Sequence, residues 1–247
     1  PATGIAAFVY HEDGSRTEQH LPAEGGELPM SEGTKNILLY NDDTQYIVFG
    51  DLDSWATASA TTRTRTRSTY SLEHGDELTV NAPDILYGTW LDSYEAVRTS
   101  EPVDLPATLR PLVYTYLIRC EFDSGLEYVA LARGALSGMA GSVYLQDGRT
   151  GDEPVTVLYD CDLTAFGTEA AVTSFGVPGF PGSLRTAFRS ALRTQSGSEV
   201  AQREDQNVRI RCYRPVSATA PWRGDYGEWT RNFGARGGRW RRFRCGG

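Results

Sequence analysis

The sequence is poor in several residue types that enzymes and nucleic-acid-binding proteins use. Its 247 residues include three histidines and four cysteines, and Lys35 is the only lysine. His11, His20 and His74 are far apart, so they give no spacing typical of a metal-binding or catalytic trio. No Ser-His-Asp order, P-loop or dinucleotide fingerprint is present. The sequence therefore predicts a non-enzymatic protein without a cofactor or catalytic residues.

Long apolar runs and paired cysteine motifs are also missing. No segment approaches the ~20 apolar residues of a membrane span. The chain begins at Pro1 without Met, so a cleaved leader in front of it is compatible with an exported protein. The cysteines show neither C-x-x-C nor zinc spacing. For Cys120 and Cys161 a disulfide is one interpretation, and two buried free thiols are the favoured one.

Basic residues are scarce outside the last 39 positions. Residues 209–247 contain 10 arginines against Asp225 and Glu228, a net charge of +8, whereas the whole chain carries −8. The first 208 residues therefore carry −16. An acidic body of this kind repels nucleic acid and anionic lipid, so we expect no nucleic-acid partner and no direct membrane contact.

What the sequence does contain is the pattern of an all-β protein. It has 13 Tyr, 26 Gly and 12 Pro, and short alternating segments separated by turn residues recur along it. Long helical periodicity is absent, so β-sandwiches are the expected way to bury these faces. The predicted strands are Ile5–Tyr10, Ile37–Tyr40, Tyr46–Phe49, Leu78–Val80, Leu86–Leu91, Val155–Asp162, Ala170–Phe175, Leu184–Leu192 and Glu199–Val208.

The stretch from Tyr114 to Leu145 carries the clearest local signal. Tyr114–Cys120 alternates with a period of two, and a turn at residues 123–125 predicts a β-hairpin that returns over residues 126–132. The small residues of Gly134–Ser142 predict a sharp bend or a close backbone approach. A helix over Leu126–Met139 is the alternative, which the two internal glycines disfavour.

Three prolines at positions 102, 106 and 111 predict a linker between two domains. We therefore expect tandem β-sandwiches at residues 1–106 and 107–208, each near the usual size of such domains. The Thr/Arg tract at residues 61–67 alternates like a solvated edge strand, because charges there discourage edge pairing. Binding of a polyanion is the alternative for this tract.

Two residue groups are candidate binding sites. Trp55, Trp90 and Tyr94 could stack on the apolar face of a sugar, although aromatic residues of β-proteins more often lie in the core. Asp42, Asp43, Asp51 and Asp53 flank one short strand and could supply oxygen ligands to calcium. They lack EF-hand spacing, so solvated turn residues are the favoured interpretation and we predict no metal site.

Several segments resemble one known family. Leu136–Gly141 (LSGMAG), Thr173–Gly176, the opening strand and turn at Gly4–Gly14, and the corner at Leu39–Thr44 are similar to motifs of the fimbrillin-like lipoproteins of Bacteroidales. That family is classed as a domain of unknown function and is related to fimbrial anchor and minor subunits. The resemblance covers roughly residues 4–208, and its motifs are structural.

The resemblance implies two transthyretin-like domains in an exported lipoprotein at the outer membrane or cell surface. It implies a fimbria-associated subunit or adhesin whose partners are other fimbrial subunits. In the related proteins one subunit lends a strand to another's open sheet, and we expect this β-augmentation here by resemblance alone. A glycan-binding surface module on the same scaffold is the alternative.

The Arg/Gly/Trp-rich tail at residues 209–247 departs from the family. A basic nucleic-acid tail and a plain surface segment are two interpretations. The favoured hypothesis is a shifted reading frame, because a one-base shift can turn IRCYRPVS into FDVTAQF and GRWRRFRCGG into AGGGGFDVA, both similar to the family's closing segments. We then expect an irregular or loosely packed tail, a missing last strand, and no function for Cys212 and Cys245.

Overall fold

The computed structural model is all-β, as the sequence predicts. The structure describes residues 3–66, 77–105, 107–122 and 126–179 with their side chains, and the backbone of five later strands. In this part of the chain the only helical element is one turn of 3-10 helix at Leu126–Tyr128. No helix there has the length and apolar character that crossing a membrane requires.

The first eight strands lie within the first 111 residues, and three more strands follow directly along the chain. They are β1 (Gly4–His11), β2 (Arg16–Pro22), β3 (Gly33–Asn41), β4 (Ile47–Gly50), β5 (Ser59–Thr62), β6 (Thr79–Asn81), β7 (Tyr87–Ala96), β8 (Arg110–Pro111), β9 (Tyr114–Phe122), β10 (Val129–Ala140) and β11 (Ser142–Tyr144).

The remaining seven strands belong to one ten-stranded sheet, which we call the second sheet and which also contains β6, β9 and β10. They are β12 (Pro154–Leu163), β13 (Gly167–Ser174), β14 (Ala187–Thr194), β15 (Glu199–Val200), β16 (Val208–Tyr213), β17 (Gly227–Arg231) and β18 (Arg241–Arg244).

A five-stranded sheet in the order β2-β1-β3-β7-β8 packs on a three-stranded sheet in the order β11-β5-β4. Alternate side chains of β1 pack into two different hydrophobic cores. Phe8 lies in the core between the sheets with Tyr40 and Val143, whereas Val9 lies on the opposite face with Ile37. Because both faces of the strand are buried, β1 reads as a continuous apolar run rather than a polar-apolar alternation.

The second sheet turns a corner at the end of β12. Strand β12 pairs with β10 over most of its length and with β13 only at Asp162 and Leu163. The side chains inside this corner form a separate core with Leu136, Val157 and Val172 at its centre. Switching one strand between two layers is a usual way to close a sandwich.

Strands are exchanged across the predicted linker. Strand β6 from the first half pairs in parallel with β12, and β11 from the second half pairs with β5. Leu112, Val143 and Phe175 also complete the core around Phe8. The division into domains at residues 1–106 and 107–208 stays a prediction. Two of the cores contain residues from both sides of this boundary.

Strand β9 confirms the alternating pattern predicted for Tyr114–Cys120, because Ile118 and Cys120 are buried while Leu117 and Arg119 are exposed. The predicted hairpin is wrong. Strand β9 pairs with β13 and β16, and β10 pairs with β12 and β14. The hairpin turn itself, at residues 123–125, lies outside the described residues.

The small-residue segment belongs to β10, so the helical alternative for Leu126–Met139 is wrong. Gly138 has a φ of 75° at a bulge between Ser137 and Met139. A Cβ on Gly134 would clash with the ring of Tyr159, and one on Gly141 would lie 2.9 Å from a methyl group of Val155. The segment therefore combines a bulge with close contacts, as its composition predicts.

The Thr/Arg tract does not form an edge strand. Its first residues end β5, which lies between β4 and β11. Farther along, the Arg65 guanidinium donates to the Leu158 carbonyl and to Asp160. The tract therefore stays largely exposed and contacts the second sheet through Arg65, and position 67 lies outside the described residues.

The backbone of the tail contains strands and is not irregular throughout, while the packing of its side chains lies outside the description. Strand β16 pairs with β9, β17 pairs with β16, and β18 pairs with β17. The second sheet thus has a strand where we expected one to be missing. The side chains of Cys212 and Cys245 lie outside the described residues, and the frame-shift hypothesis stays a prediction.

Candidate functional site

The three aromatic residues predicted to bind sugar occupy two different clusters. Trp55 and Trp90 pack against the core that contains Phe8, whereas Tyr94 packs on the opposite face of the sheet. Trp90 lies next to Gly148, and Trp55 stands at the mouth of a cavity. The structure therefore separates the three rings and leaves Trp55 as the one that faces an open space.

The cavity lies where the β1–β2 turn, the start of β3 and the bend in β7 meet. Its volume is about 370 Å³, which is near the lower limit of about 300 Å³ for small-molecule sites. A second cavity of about 380 Å³ adjoins it on the side of the β1–β2 turn. Both cavities are lined by His11, Glu12, Ser15 and Lys35.

A short turn and an aromatic neighbour hold Trp55 in place. The amides of Thr57 and Ala58 donate to the carbonyl of Ser54. The Tyr10 ring meets the indole edge-on, with 5.7 Å between centroids, and its hydroxyl donates to the Leu52 carbonyl. Burial raises the pKa of Tyr10 to about 12, so this hydroxyl keeps its proton at neutral pH and the contact is maintained.

Lys35 is buried, with 4 % of its surface exposed. Its Nζ donates to the carbonyls of Glu32 at 3.0 Å and Thr34 at 3.3 Å. An ammonium group has three hydrogens, so one remains for a further acceptor. A buried cation is costly unless it is hydrogen-bonded, which makes the placement of the only lysine at this cavity notable.

Two more polar groups are fixed at the cavity by the backbone and by an ion pair. The Asn36 side chain accepts a hydrogen bond from the amide of Ser93 through Oδ1, which orients its Nδ2 as a donor. Asp53 is bound by Arg16 at 2.9 Å, and the Arg16 guanidinium lies over the Phe8 ring. The cavity wall is therefore polar, preorganised and aromatic on one side.

Three of the four aspartates considered for calcium bind protein donors through their carboxylates. Asp42 pairs with His20, Asp43 accepts from Asn41, and Asp53 pairs with Arg16. Asp51 has a φ of 54° and accepts from the amide of Ser54 through its carbonyl. Among the residues with described side chains, no three His, Cys, Asp or Glu residues are placed to hold a metal ion.

The remaining candidates are single groups. His11 lines both cavities, His20 lies on β2, and His74 lies outside the described residues. Cys120 and Cys161 are free thiols against one core. Burial raises the pKa of both thiols, to about 12 for Cys161, so they are protonated and poorly reactive at neutral pH.

An apolar strand lies at one edge of the sandwich that the five-stranded and three-stranded sheets form. Strand β4 pairs with β5 and is an edge of the three-stranded sheet. It contains no charged residue, and its Val48 and the preceding Tyr46 are exposed by 45 % and 37 %. Edge strands are commonly protected by charges or bulges, and β4 has no charge.

The chain belongs to the family described as "Domain of unknown function (DUF5119)", whose pattern matches residues 1–160. The match includes the cavity, the β4 edge and most of the core residues, although Val172 and Phe175 lie beyond it, and it ends before the Arg-rich tail. The family resemblance noted in the sequence is thereby confirmed.

Among curated proteins, the chain is 29 % identical over 148 residues to one named "Putative fimbrium anchoring subunit Fim4B" from Bacteroides ovatus. The match covers 59 % of this chain and 43 % of that protein, so the chain spans less than half of its relative's length. A crystal structure of a "putative adhesin" from Bacteroides ovatus has a TM-score of 0.64, 20 % identity, and coverage of 86 % of this chain and 76 % of that one. That likeness shows a shared fold.

Sequence reasoning identified Trp55 and missed the polar residues around it. Glu12 lies in the β1–β2 turn, whereas Lys35 and Asn36 are neighbours on β3, and no spacing in the sequence links the turn to that strand. One signal was available in the sequence. Lys35 is the only lysine among 24 basic residues, so lysine instead of arginine is an unusual choice at position 35.

Proposed function

We infer that this chain is a non-enzymatic, exported surface protein that acts as a fimbria-associated subunit or adhesin and is anchored as a lipoprotein. The observation that carries the proposal is its 29 % identity over 148 residues to a protein named as a fimbrium anchoring subunit. The shared fold with a protein named as an adhesin supports it. The anchoring subunit's role belongs to a longer protein, and its transfer to this chain is part of the proposal.

The β4 edge offers a place where another subunit could attach. A strand added beside β4 would bond to its free main-chain groups, and side chains of the added strand would pack near Val48. Strand β4 is short, so the affinity would depend on these side-chain contacts as well as on the backbone. The lack of charge on the strand favours such pairing.

Binding to purified fimbrial subunits of its source organism tests this proposal. Val48→Lys places a charge at the edge without altering a buried position, and we expect it to weaken subunit binding at least about tenfold, or 1.4 kcal/mol. Leu78→Lys is the matched control because Leu78 is also 45 % exposed and lies away from β4. Equal binding by both variants, or no binding by the unmodified chain, would contradict the proposal.

A glycan-binding surface module is the second candidate function. The observation that favours it is the cavity beside Trp55, which combines an aromatic wall with fixed polar groups. Binding to a glycan array would support this function, whichever residues of the chain were responsible.

A further inference from the structure

We propose that the cavity beside Trp55 binds one neutral pyranose, as the end of a glycan, with Glu12, Lys35 and Asn36 as its hydroxyl partners. This inference rests on the second candidate function and names its site and its ligand class. Trp90 and Tyr94, which the sequence grouped with Trp55, are not part of it.

The volume and the wall of the cavity fit a small, polar ligand with one apolar face. A space of about 370 Å³ accommodates a single sugar ring better than a peptide segment or a long chain. The half-buried indole of Trp55 supplies the flat surface that the C–H face of a pyranose requires. Its other contacts, to Tyr10 and the turn at Ser54, already hold the ring in place before any ligand binds.

The hydrogen-bonding groups match hydroxyls in particular. A Cβ built on Gly33 would lie 3.4 Å from Lys35 Nζ and 3.9 Å from Glu12 Oε2, so both groups border the same small space. The side chains of Lys35 and Glu12, both of which the structure describes, do not form an ion pair with each other. A hydroxyl can accept from the ammonium and donate to the carboxylate at once, which neither a purely cationic nor a purely anionic ligand group can do.

Charge favours a neutral sugar over an acidic one. Lys35 and Glu12 carry opposite charges, and Arg16 is shared between Asp53 and Glu18, so the carboxylates around the cavity are not outnumbered by cations. A carboxylate-bearing sugar would gain Lys35 but would also lie close to Glu12, which costs free energy at short distance. The neighbouring cavity shares His11, Glu12, Ser15 and Lys35 with this one, and it offers space for the next residue of the glycan.

Saturation-transfer NMR with methyl glycosides of glucose, galactose, mannose and N-acetylglucosamine tests the proposal on the full chain. Dissociation constants follow from titration of any glycoside that binds. We expect Trp55→Ala to weaken binding at least about tenfold and Glu12→Gln about fivefold, because each removes one principal contact. Glu24→Gln is the matched control, since Glu24 is an exposed carboxylate outside both cavities.

The outcomes separate the site from the function. Binding that Trp55→Ala and Glu12→Gln weaken and Glu24→Gln leaves unchanged supports the site. Binding that survives both site variants overturns the site and leaves the glycan-binding function standing. An unmodified chain that binds none of the glycosides but binds a glycan array overturns the site alone, and one that binds neither overturns both. Preference for a sialylated glycan over its neutral counterpart overturns the neutral ligand class.

Because Glu12 is exposed, Glu12→Gln keeps the test valid if Trp55→Ala fails to fold. Circular dichroism and the melting temperature of each variant identify that case. In that event, a Glu12→Gln protein that folds and binds as tightly as the unmodified chain counts against the proposal.

Discussion

At the scale of single residues, Gly138 is the clearest case of a position that tolerates one residue type. Its φ of 75° at the β10 bulge is a conformation that β-branched residues strongly disfavour. The neighbouring Ser137 and Met139 are buried, so the backbone has little freedom to relax. Met139 belongs to the core around Leu136, Val157 and Val172, so the bulge sets the position of a core side chain.

We expect Gly138→Val to lower the free energy of unfolding by about 1–3 kcal/mol. Denaturant titration measures this directly. Gly50→Val is the control, because Gly50 also lies in a strand but a Cβ there would meet only the Ser59 hydroxyl, at an ordinary 3.6 Å. Equal stabilities of the two variants would show that the bulge carries no strain.

At the scale of elements, His20 ties the edge strand β2 to the end of β3. Its Nδ1 lies 2.7 Å from Asp42, and this hydrogen bond raises the pKa of His20 above its ordinary value. The pKa of His20 is higher in the folded protein than in the unfolded chain. The pair with Asp42 therefore stabilises the folded protein fully below the ordinary histidine pKa of about 6.5. This stabilisation is lost as pH rises through the raised pKa.

His20→Gln should therefore destabilise the protein at pH 5.5 and have little effect at pH 8.5. Because the pair is exposed, the effect should be small and should shrink in 0.5 M salt. Chemical denaturation at the two pH values measures the difference. In an Asp42→Asn background most of the pH dependence of the His20 effect should disappear, and the remainder should come from Glu18, whose Oε1 lies 3.5 Å from His20 Nε2. A pH dependence that is unchanged there would contradict the role of Asp42.

The elements also show which features a sequence can reveal. The alternation in Tyr114–Cys120 predicted β9, because one face of that strand is buried and the pattern is local. The partners of β9 were not predictable in this way, since they lie about 50 and 90 residues farther along the chain. The same limit applies to the cavity, where Trp55 was recognisable but Lys35 and Glu12 meet only after β1 and β3 have paired.

At the scale of the whole molecule, several contacts join the two halves of the chain. Strand β6 pairs with β12, β11 pairs with β5, and Asp160 accepts from Arg65 across the division as well as from Arg133 in its own half. These arginines hold the pKa of Asp160 below its ordinary value, the hydrogen bond from Arg65 contributing most. The ion pairs are half-exposed and add little stability by themselves, so the exchanged strands carry most of the connection.

We expect fragments 1–106 and 107–247 to fold poorly when each is produced alone. The first fragment lacks β11, Leu112 and Phe175 from its core, and the second lacks β6 and its buried Val80. Fragments that lack parts of a core lose cooperative unfolding, so neither should give a sharp thermal transition, whereas the two produced together should recover one. Two fragments that each unfold cooperatively would instead establish the division near residue 106 as a boundary between self-contained domains.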